Sequence, residues 1–222
     1  MGSRGPTFVF GYGSLANVPG PIPVRRVAAG GFVADLDGFA RSWGVAMDNR
    51  SDLPGYKYYT DPRGHRPEVY VTYLDVRERA GARVNGVCIP VDDAQLAELD
   101  ARERNYKRVD VSDRVGVEGV RIWTYVGTAA SRRRLTRGRE LGQAVIDAGY
   151  LGLVSEAFRR LGPAEYDACA RSLAPGDLPV AELTRVDLPA AVAPRVSELG
   201  RTVAARTLAQ RNQRPEHDQQ RG

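Results

Sequence analysis

Apolar and polar positions change period twice along this 222-residue chain. The first signal is short and dense. Thr7, Phe8, Val9 and Phe10 are β-branched or aromatic, the types that suit a pleated surface, and they predict a buried strand. Residues 24–39 alternate loosely around a Gly30-Gly31 pair, which predicts a long strand with a bulge or barrel corner. Residues 42–46, 68–74 and 84–91 predict further strands, the last apolar enough for burial. Between them, 48–67 is polar, tyrosine-dotted and turn-rich, a long surface loop. The period then turns helical. Asp92 and Asp93 cap a helix over 94–103, with Leu96 and Leu99 on its buried face. Strands return at 106–111 and 120–126.

The last part of the chain reads as helical. Residues 137–161 form one stretch carrying Leu141, Val145, Leu151, Val154 and Phe158, and 163–173 start a second helix with Pro163 in its first turn. Residues 177–188 read as loop, 197–210 as an amphipathic helix with Leu199, Val203 and Leu208, and 211–222 as polar and disordered. About five to seven strands, one helix among them and helices after them predict an α+β fold. The expected architecture is a small mixed β-barrel, closed or half-closed and flanked by helices, over 7–175, with a helical C-terminal extension over 176–222. The βαβ alternation of a doubly wound fold is absent.

Composition removes several functions. Apolar residues make up 42% of the chain and charged ones 27%, ordinary values for a globular protein. No apolar run approaches the roughly 20 residues of a membrane helix, and no apolar stretch follows the first six residues as a secretory signal requires. A cytoplasmic protein with no membrane partner is expected. Cys88 and Cys169, far apart, are expected to be free and reduced. His65 and His217 have no Cys or His at metal spacing, so neither a metal site nor a Ser-His-Asp triad is expected. The net charge of +5 invites a nucleic-acid partner. Yet Lys57 and Lys107 are the only lysines among 32 basic residues, which reads as codon bias, and the single dense run, Arg132-Arg133-Arg134, has no interleaved aromatics. No nucleic-acid partner is expected.

Two stretches carry candidate chemistry. After the first strand comes Gly11-Tyr12-Gly13-Ser14-Leu15, a turn whose successive amides can face one concavity and hold a carboxylate or an oxyanion. The pattern Gly11-x-Gly13-x-x-Ala16 also fits a permissive dinucleotide fingerprint. That motif needs a helix at once, and here Pro19, Pro21 and Pro23 follow. No Lys-Ser/Thr pair follows the glycines, so a Walker-type loop fails as well. A plain tight turn at a strand end stays open. The second stretch is the end of the 94–103 helix. Glu103 lies four residues beyond Leu99 and seven beyond Leu96, so it projects from their face. A carboxylate there is either aimed into a cavity, where loss of water raises its proton affinity, or sits past the last turn and reaches solvent.

Tyr12-Gly13-Ser14-Leu15 together with Leu99-Asp100-x-x-Glu103-x-x-Tyr106 resembles the γ-glutamylcyclotransferase family, over about 8–126 and more weakly to 172. The resemblance implies a compact β-barrel flanked by helices. It also implies an intramolecular reaction, in which the α-amine of a γ-glutamyl compound attacks its own γ-carbonyl to give 5-oxoproline and a free amine. By that resemblance the Tyr12–Leu15 loop binds the glutamyl moiety, Glu103 is the acid/base, and Tyr106 and Tyr125 are pocket tyrosines. Tyr150 matches another only loosely, and each tyrosine can equally be packing. The partner implied is a small γ-glutamyl substrate, with no cofactor and no metal. Two alternatives remain: a non-catalytic barrel that binds a small ligand or a protein, and an Arg-rich nucleic-acid accessory protein.

Overall fold

The computed structural model describes residues 5–17 and 30–189. Its frame is a pair of unusually long strands. β2 (Phe32–Asp48) runs antiparallel to β4 (Tyr70–Pro90) over almost its whole length. The register shifts twice, between Asp37 and Phe39 and between Trp43 and Val45. At the first shift Gly38 alone, at φ 77°, stands against residues 79–82, among which Gly81 lies at φ 73°. Positive φ is nearly free for glycine and costly for other residues, so this is where the ribbon can bend. At the second shift a Cβ on Gly44 would lie 2.5 Å from that of Asp75, so only glycine lets the two strands approach.

The other edge of β4 is divided between two partners. Its last residues pair with β1 (Thr7–Gly11), Phe10 opposite Cys88, and its first residues pair in parallel with β7 (Ala144–Asp147), Val71 opposite Val145. β1 lies parallel to β6 (Arg121–Gly127), which pairs antiparallel with β5 (Tyr106–Asp110); β8 (Val180–Ala181) lies parallel to β7. The result is a mixed seven-stranded sheet in the order β5-β6-β1-β4-β7-β8, with β2 on the free edge of β4. Among the described residues β5 and β8 do not pair with each other, so hydrogen bonds between these strands do not close the sheet into a barrel. A second ribbon pairs β3 (Lys57–Thr60) with β9 (Thr184–Asp187).

Among the described residues four helices accompany the sheet: α1 (Asp93–Arg102), α2 (Ala129–Glu140), α3 (Ala148–Leu161) and α4 (Pro163–Leu173). This is the α+β, helix-flanked mixed sheet that the apolar pattern implies. The core joins Phe8, Phe10, Leu36, Leu74 and Ile122 of the sheet to Phe158 of α3. Cys88 and Cys169 are both buried and unbonded.

The elements differ from the sequence reading in four places. The strands expected at 24–39 and 42–46 are one strand from Phe32, and those expected at 68–74 and 84–91 are joined through a polar middle. The 48–67 stretch contains β3. The single helix expected over 137–161 is the end of α2, then β7, then α3, because Gly142 at φ 64° breaks the helical path. The 177–188 stretch supplies β8 and β9, so part of the segment assigned to the extension pairs with the sheet. Residues 24–29 of the first long strand's expected range, the 197–210 helix and the 211–222 tail lie outside the described residues.

The middle of the β2–β4 ribbon carries a buried charge on each face. Arg41, 8% exposed, donates from Nε to Ser172 Oγ (2.8 Å), from Nη1 to the Tyr12 carbonyl (2.8 Å) and the Asn85 carbonyl (3.2 Å), and from Nη2 to Asn85 Oδ1 (2.7 Å). Its guanidinium also stacks 4.8 Å from the Phe158 ring centroid. Asp75, fully buried, accepts from the Gly127 amide (2.7 Å) and from Arg132 Nε (2.8 Å). Arg41→Met leaves the Asn85 side chain and the Tyr12 carbonyl without their donor. The expected loss is about 3 kcal/mol of folding free energy, read by urea unfolding. Arg41→Lys is expected to recover little of it, because a single ammonium cannot reach three residues arranged around a planar fork.

Candidate active site

The glycine turn is built by close packing of the chain on itself. A Cβ on Gly11 would meet the carbonyl carbon of Leu15 at 2.8 Å, and one on Gly86 would meet the Gly11 carbonyl oxygen at 2.5 Å. Neither Gly11 nor Gly13 has a positive φ, so the glycines serve proximity here and not a left-handed turn. After Gly13 the chain makes one 3-10 turn, Ser14–Ala16, closed by the Ala16 amide on the Gly13 carbonyl at 2.9 Å. The amides of Ser14 and Leu15 precede that bond and make no backbone hydrogen bond within the turn. Arg41 fixes the turn from behind through the Tyr12 carbonyl.

α1 delivers the carboxylate. Asp92 and Gln95 form a reciprocal capping box, Gln95 N to Asp92 Oδ1 2.8 Å and Asp92 N to Gln95 Oε1 3.0 Å. Leu96 is buried against Val9 and Tyr125. The helix ends at Arg102, one residue earlier than the sequence reading, and Glu103 is its C-terminal cap, its amide on the Leu99 carbonyl at 2.9 Å. The side chain nevertheless turns inward and is 18% exposed. Among the described residues no donor reaches its oxygens within hydrogen-bond distance, and the only cation within 4.0 Å is Arg102, Nη2 to Oε1 at 4.0 Å. Burial raises its pKa, opposed by Arg102, Lys57 and Arg185. The partial negative charge at the end of α1 acts in the same direction as burial.

Two adjoining cavities meet at Glu103. The smaller, about 30 Å³, is lined by Tyr12, Gly13, Ser14, Leu15, Leu74, Glu103, Tyr106, Tyr125 and Tyr150. Every site residue singled out in the sequence therefore borders it. The larger, about 380 Å³, shares Ser14, Glu103, Tyr106 and Tyr150 and continues over the β3–β9 ribbon.

The tyrosines divide by where their hydroxyls go. Tyr12 donates to the Tyr125 carbonyl (2.6 Å), Tyr106 to the Leu74 carbonyl (2.7 Å) and Tyr125 to Asp100 Oδ1 (2.8 Å). These three hydroxyls are committed to the protein, and their rings form walls. Tyr150 in the first turn of α3 differs. Its oxygen lies 3.0 Å from where a Gly13 Cβ would sit, it borders both cavities, and burial, followed by Glu103, raises its pKa against hydrogen bonds from Leu74 and Ser14 that lower it. Its ring packs edge-on against Trp43 and Tyr73.

The sequence reading missed the wall of the larger cavity. Lys57 pairs with Asp187 and Tyr59 with Arg185 across the β3–β9 ribbon, and all four face the cavity. Lys57 Nζ lies 4.7 Å from the Tyr73 ring centroid, 5.7 Å from Tyr56 and 5.9 Å from Tyr59. Burial, reinforced by Arg185, lowers its pKa to about 8. One signal was available: Lys57 is one of two lysines in an arginine-dominated chain. Its pairing with a strand far along the sequence had no local signature.

The raised pKa of Glu103 sets a stability test. An acid whose folded pKa exceeds its unfolded value binds more protons when folded, so its contribution worsens as pH rises from the unfolded value near 4.5 through the folded one. Glu103→Gln is therefore expected to raise Tm relative to wild type at neutral pH, with the gain vanishing in scans below about 4.5, where the acid is protonated in both states.

Comparison with known proteins follows this geometry. The family model described as gamma-glutamyl cyclotransferase, AIG2-like matches residues 9–143. No curated protein sequence matches the chain. A solved structure titled gamma-glutamyl cyclotransferase is 15% identical, with 90% of this chain and 98% of that one covered and a TM-score of 0.45. An uncharacterized protein from Homo sapiens is 16% identical over 91% and 99%, TM-score 0.45, and a solution structure from Arabidopsis thaliana is 24% identical over 57% and 66%, TM-score 0.31. The sequence match spans the glycine turn, the β2–β4 ribbon, Glu103 and α2 and stops just before β7, and on it this chain belongs to the gamma-glutamyl cyclotransferase, AIG2-like family.

Proposed function

We propose that the protein converts a γ-glutamyl compound to 5-oxoproline and a free amine, with Glu103 as the general acid and base. The observation that carries this reading is an inward carboxylate with no donor of its own, bordering two cavities at the foot of an amide-bearing turn. A substrate ammonium is the missing donor. Burial raises the proton affinity of Glu103, which suits it to take a proton from that ammonium and release it later.

The steps balance without a cofactor or an enzyme nucleophile. Glu103 removes one proton from the substrate's α-ammonium, and the free amine attacks the γ-carbonyl carbon, closing the five-membered ring. Negative charge then collects on the former carbonyl oxygen. The smaller cavity has room for little more than such a group, and Ser14, Leu15 and Tyr150, which line it, would supply amide and hydroxyl donors to that oxygen. Tyr150 stays protonated because burial raises its pKa, so it remains a donor. Glu103 returns that proton to the departing nitrogen as its bond to the γ-carbon breaks, then takes the second proton from the ring nitrogen, leaving the neutral lactam N–H, and passes it to the released amine, which departs as its ammonium. The cavity contributes by holding the substrate folded, an effect that can supply several kcal/mol in intramolecular reactions.

A panel of γ-glutamyl amino acids, peptides and amines, assayed for 5-oxoproline, tests the reading. Wild type is expected to release it from at least one class, and Glu103→Gln to lower kcat by roughly a hundredfold to ten-thousandfold while remaining folded. Equal release from both proteins removes Glu103 from the role. No release from any class turns the reading toward a family member that only binds a ligand.

A further inference from the structure

The larger cavity holds a cation with no partner. Among the described residues Lys57 makes no side-chain hydrogen bond and has no carboxylate within 4.0 Å, although its ammonium is held against three tyrosine rings. The carboxylates near it are already engaged. Asp187 accepts from Arg185 Nε at 2.8 Å, and Asp147 accepts from the Gly149 and Tyr150 amides at the start of α3. Glu103 attracts Lys57 but lies beyond contact distance. A half-buried ammonium with three unused donors is costly unless an acceptor arrives, and Arg185 beside it adds positive charge.

Its position says which part of a substrate supplies that acceptor. Lys57 borders the larger cavity and not the smaller one, where the glycine turn and Glu103 meet. The opposite strand of its wall, β9, lies beyond residues 9–143, the part shared with the family. Glu103 and the glycine turn thus sit inside the matched part, and one strand of this wall lies outside it. In a cyclisation the component that differs from one substrate to another is the departing amine.

We propose that the Lys57–Arg185 wall is a carboxylate subsite for the departing half, so that the preferred substrates are γ-glutamyl amino acids or peptides with a free carboxylate rather than γ-glutamyl amines. This rests on the cyclisation reading above. The rings of Tyr56, Tyr59 and Tyr73 fix the ammonium in place and keep water from it, which strengthens a charge-assisted hydrogen bond to the ligand. At neutral pH, below a pKa of about 8, Lys57 is mostly charged when that ligand arrives.

The test compares γ-glutamyl-alanine with γ-glutamyl-alaninamide, which share the scissile bond and differ by one carboxylate. Wild type is expected to favour the acid by about tenfold or more in kcat/KM. Lys57→Gln brings the ratio to about one, and Lys57→Arg keeps most of it. Free alanine inhibits wild type and alaninamide does not, which makes the same comparison without a variant. A wild-type ratio near one overturns the proposal while leaving cyclisation intact. So does a Lys57→Gln enzyme that loses both substrates equally, which would place Lys57 on the glutamyl half. Absence of 5-oxoproline from both compounds while a γ-glutamyl amine of the panel is turned over overturns this proposal alone, and absence across the whole panel removes the cyclisation reading and this one with it.

Discussion

Two ions buried at the middle of one bent ribbon hold this structure in register. Arg41 and Asp75 sit on opposite faces of the β2–β4 pair, since Arg41 stands opposite Val76 and Ser42 opposite Asp75. A charge taken out of water is tolerable only when its hydrogen-bonding capacity is filled, so each ion dictates its surroundings. Arg41 calls in the Tyr12 carbonyl, Asn85 and Ser172, which ties the glycine turn, β4 and α4 to one point. Asp75 calls in the Gly127 amide and Arg132, which fixes the end of β6 and the start of α2. Neither set can be met if the two strands slip by a residue, because slippage would exchange the faces.

The site follows from that constraint. With the turn held by Arg41, Gly13 packs against the Tyr150 hydroxyl and the Leu74 side chain, and the Leu74 carbonyl receives the Tyr106 hydroxyl. α1 then brings Glu103 to the same point from the opposite side, through a short loop whose Tyr106 amide returns to the Glu103 carbonyl at 2.9 Å. The inward carboxylate is thus a cap residue, positioned by a helix end and a tight return, and not a side chain midway along a helix. Its neighbours are mostly rings with committed hydroxyls, which exclude water without offering it a proton. Such a setting raises proton affinity while leaving the carboxylate free to engage a substrate.

Local chemistry made part of this readable. The dense apolar runs around Phe8, Val87 and Ile122 are strands because both of their faces are covered. Spacing from Leu96 and Leu99 found Glu103 even though the helix stops one residue short, since a cap residue inherits the direction of the last turn. The rest depended on partners distant in sequence. Residues 77–83 of β4 are polar and mostly exposed, so the apolar pattern lapses there and one strand reads as two. β7 is four residues between helices, and its identity as strand comes from pairing with β4. Lys57 gains its meaning only when β9 lies beside β3.

The central claim is that the substrate's own amine, unmasked by Glu103, does the work that water or an enzyme nucleophile does in other amide cleavages. Turnover of a γ-glutamyl substrate in water enriched in heavy oxygen, with the products read by mass spectrometry, tests it most directly. The account predicts 5-oxoproline carrying no solvent oxygen, and no turnover when the α-amine is acetylated. Glutamate labelled in its γ-carboxylate would contradict it, because only attack by water places solvent oxygen there.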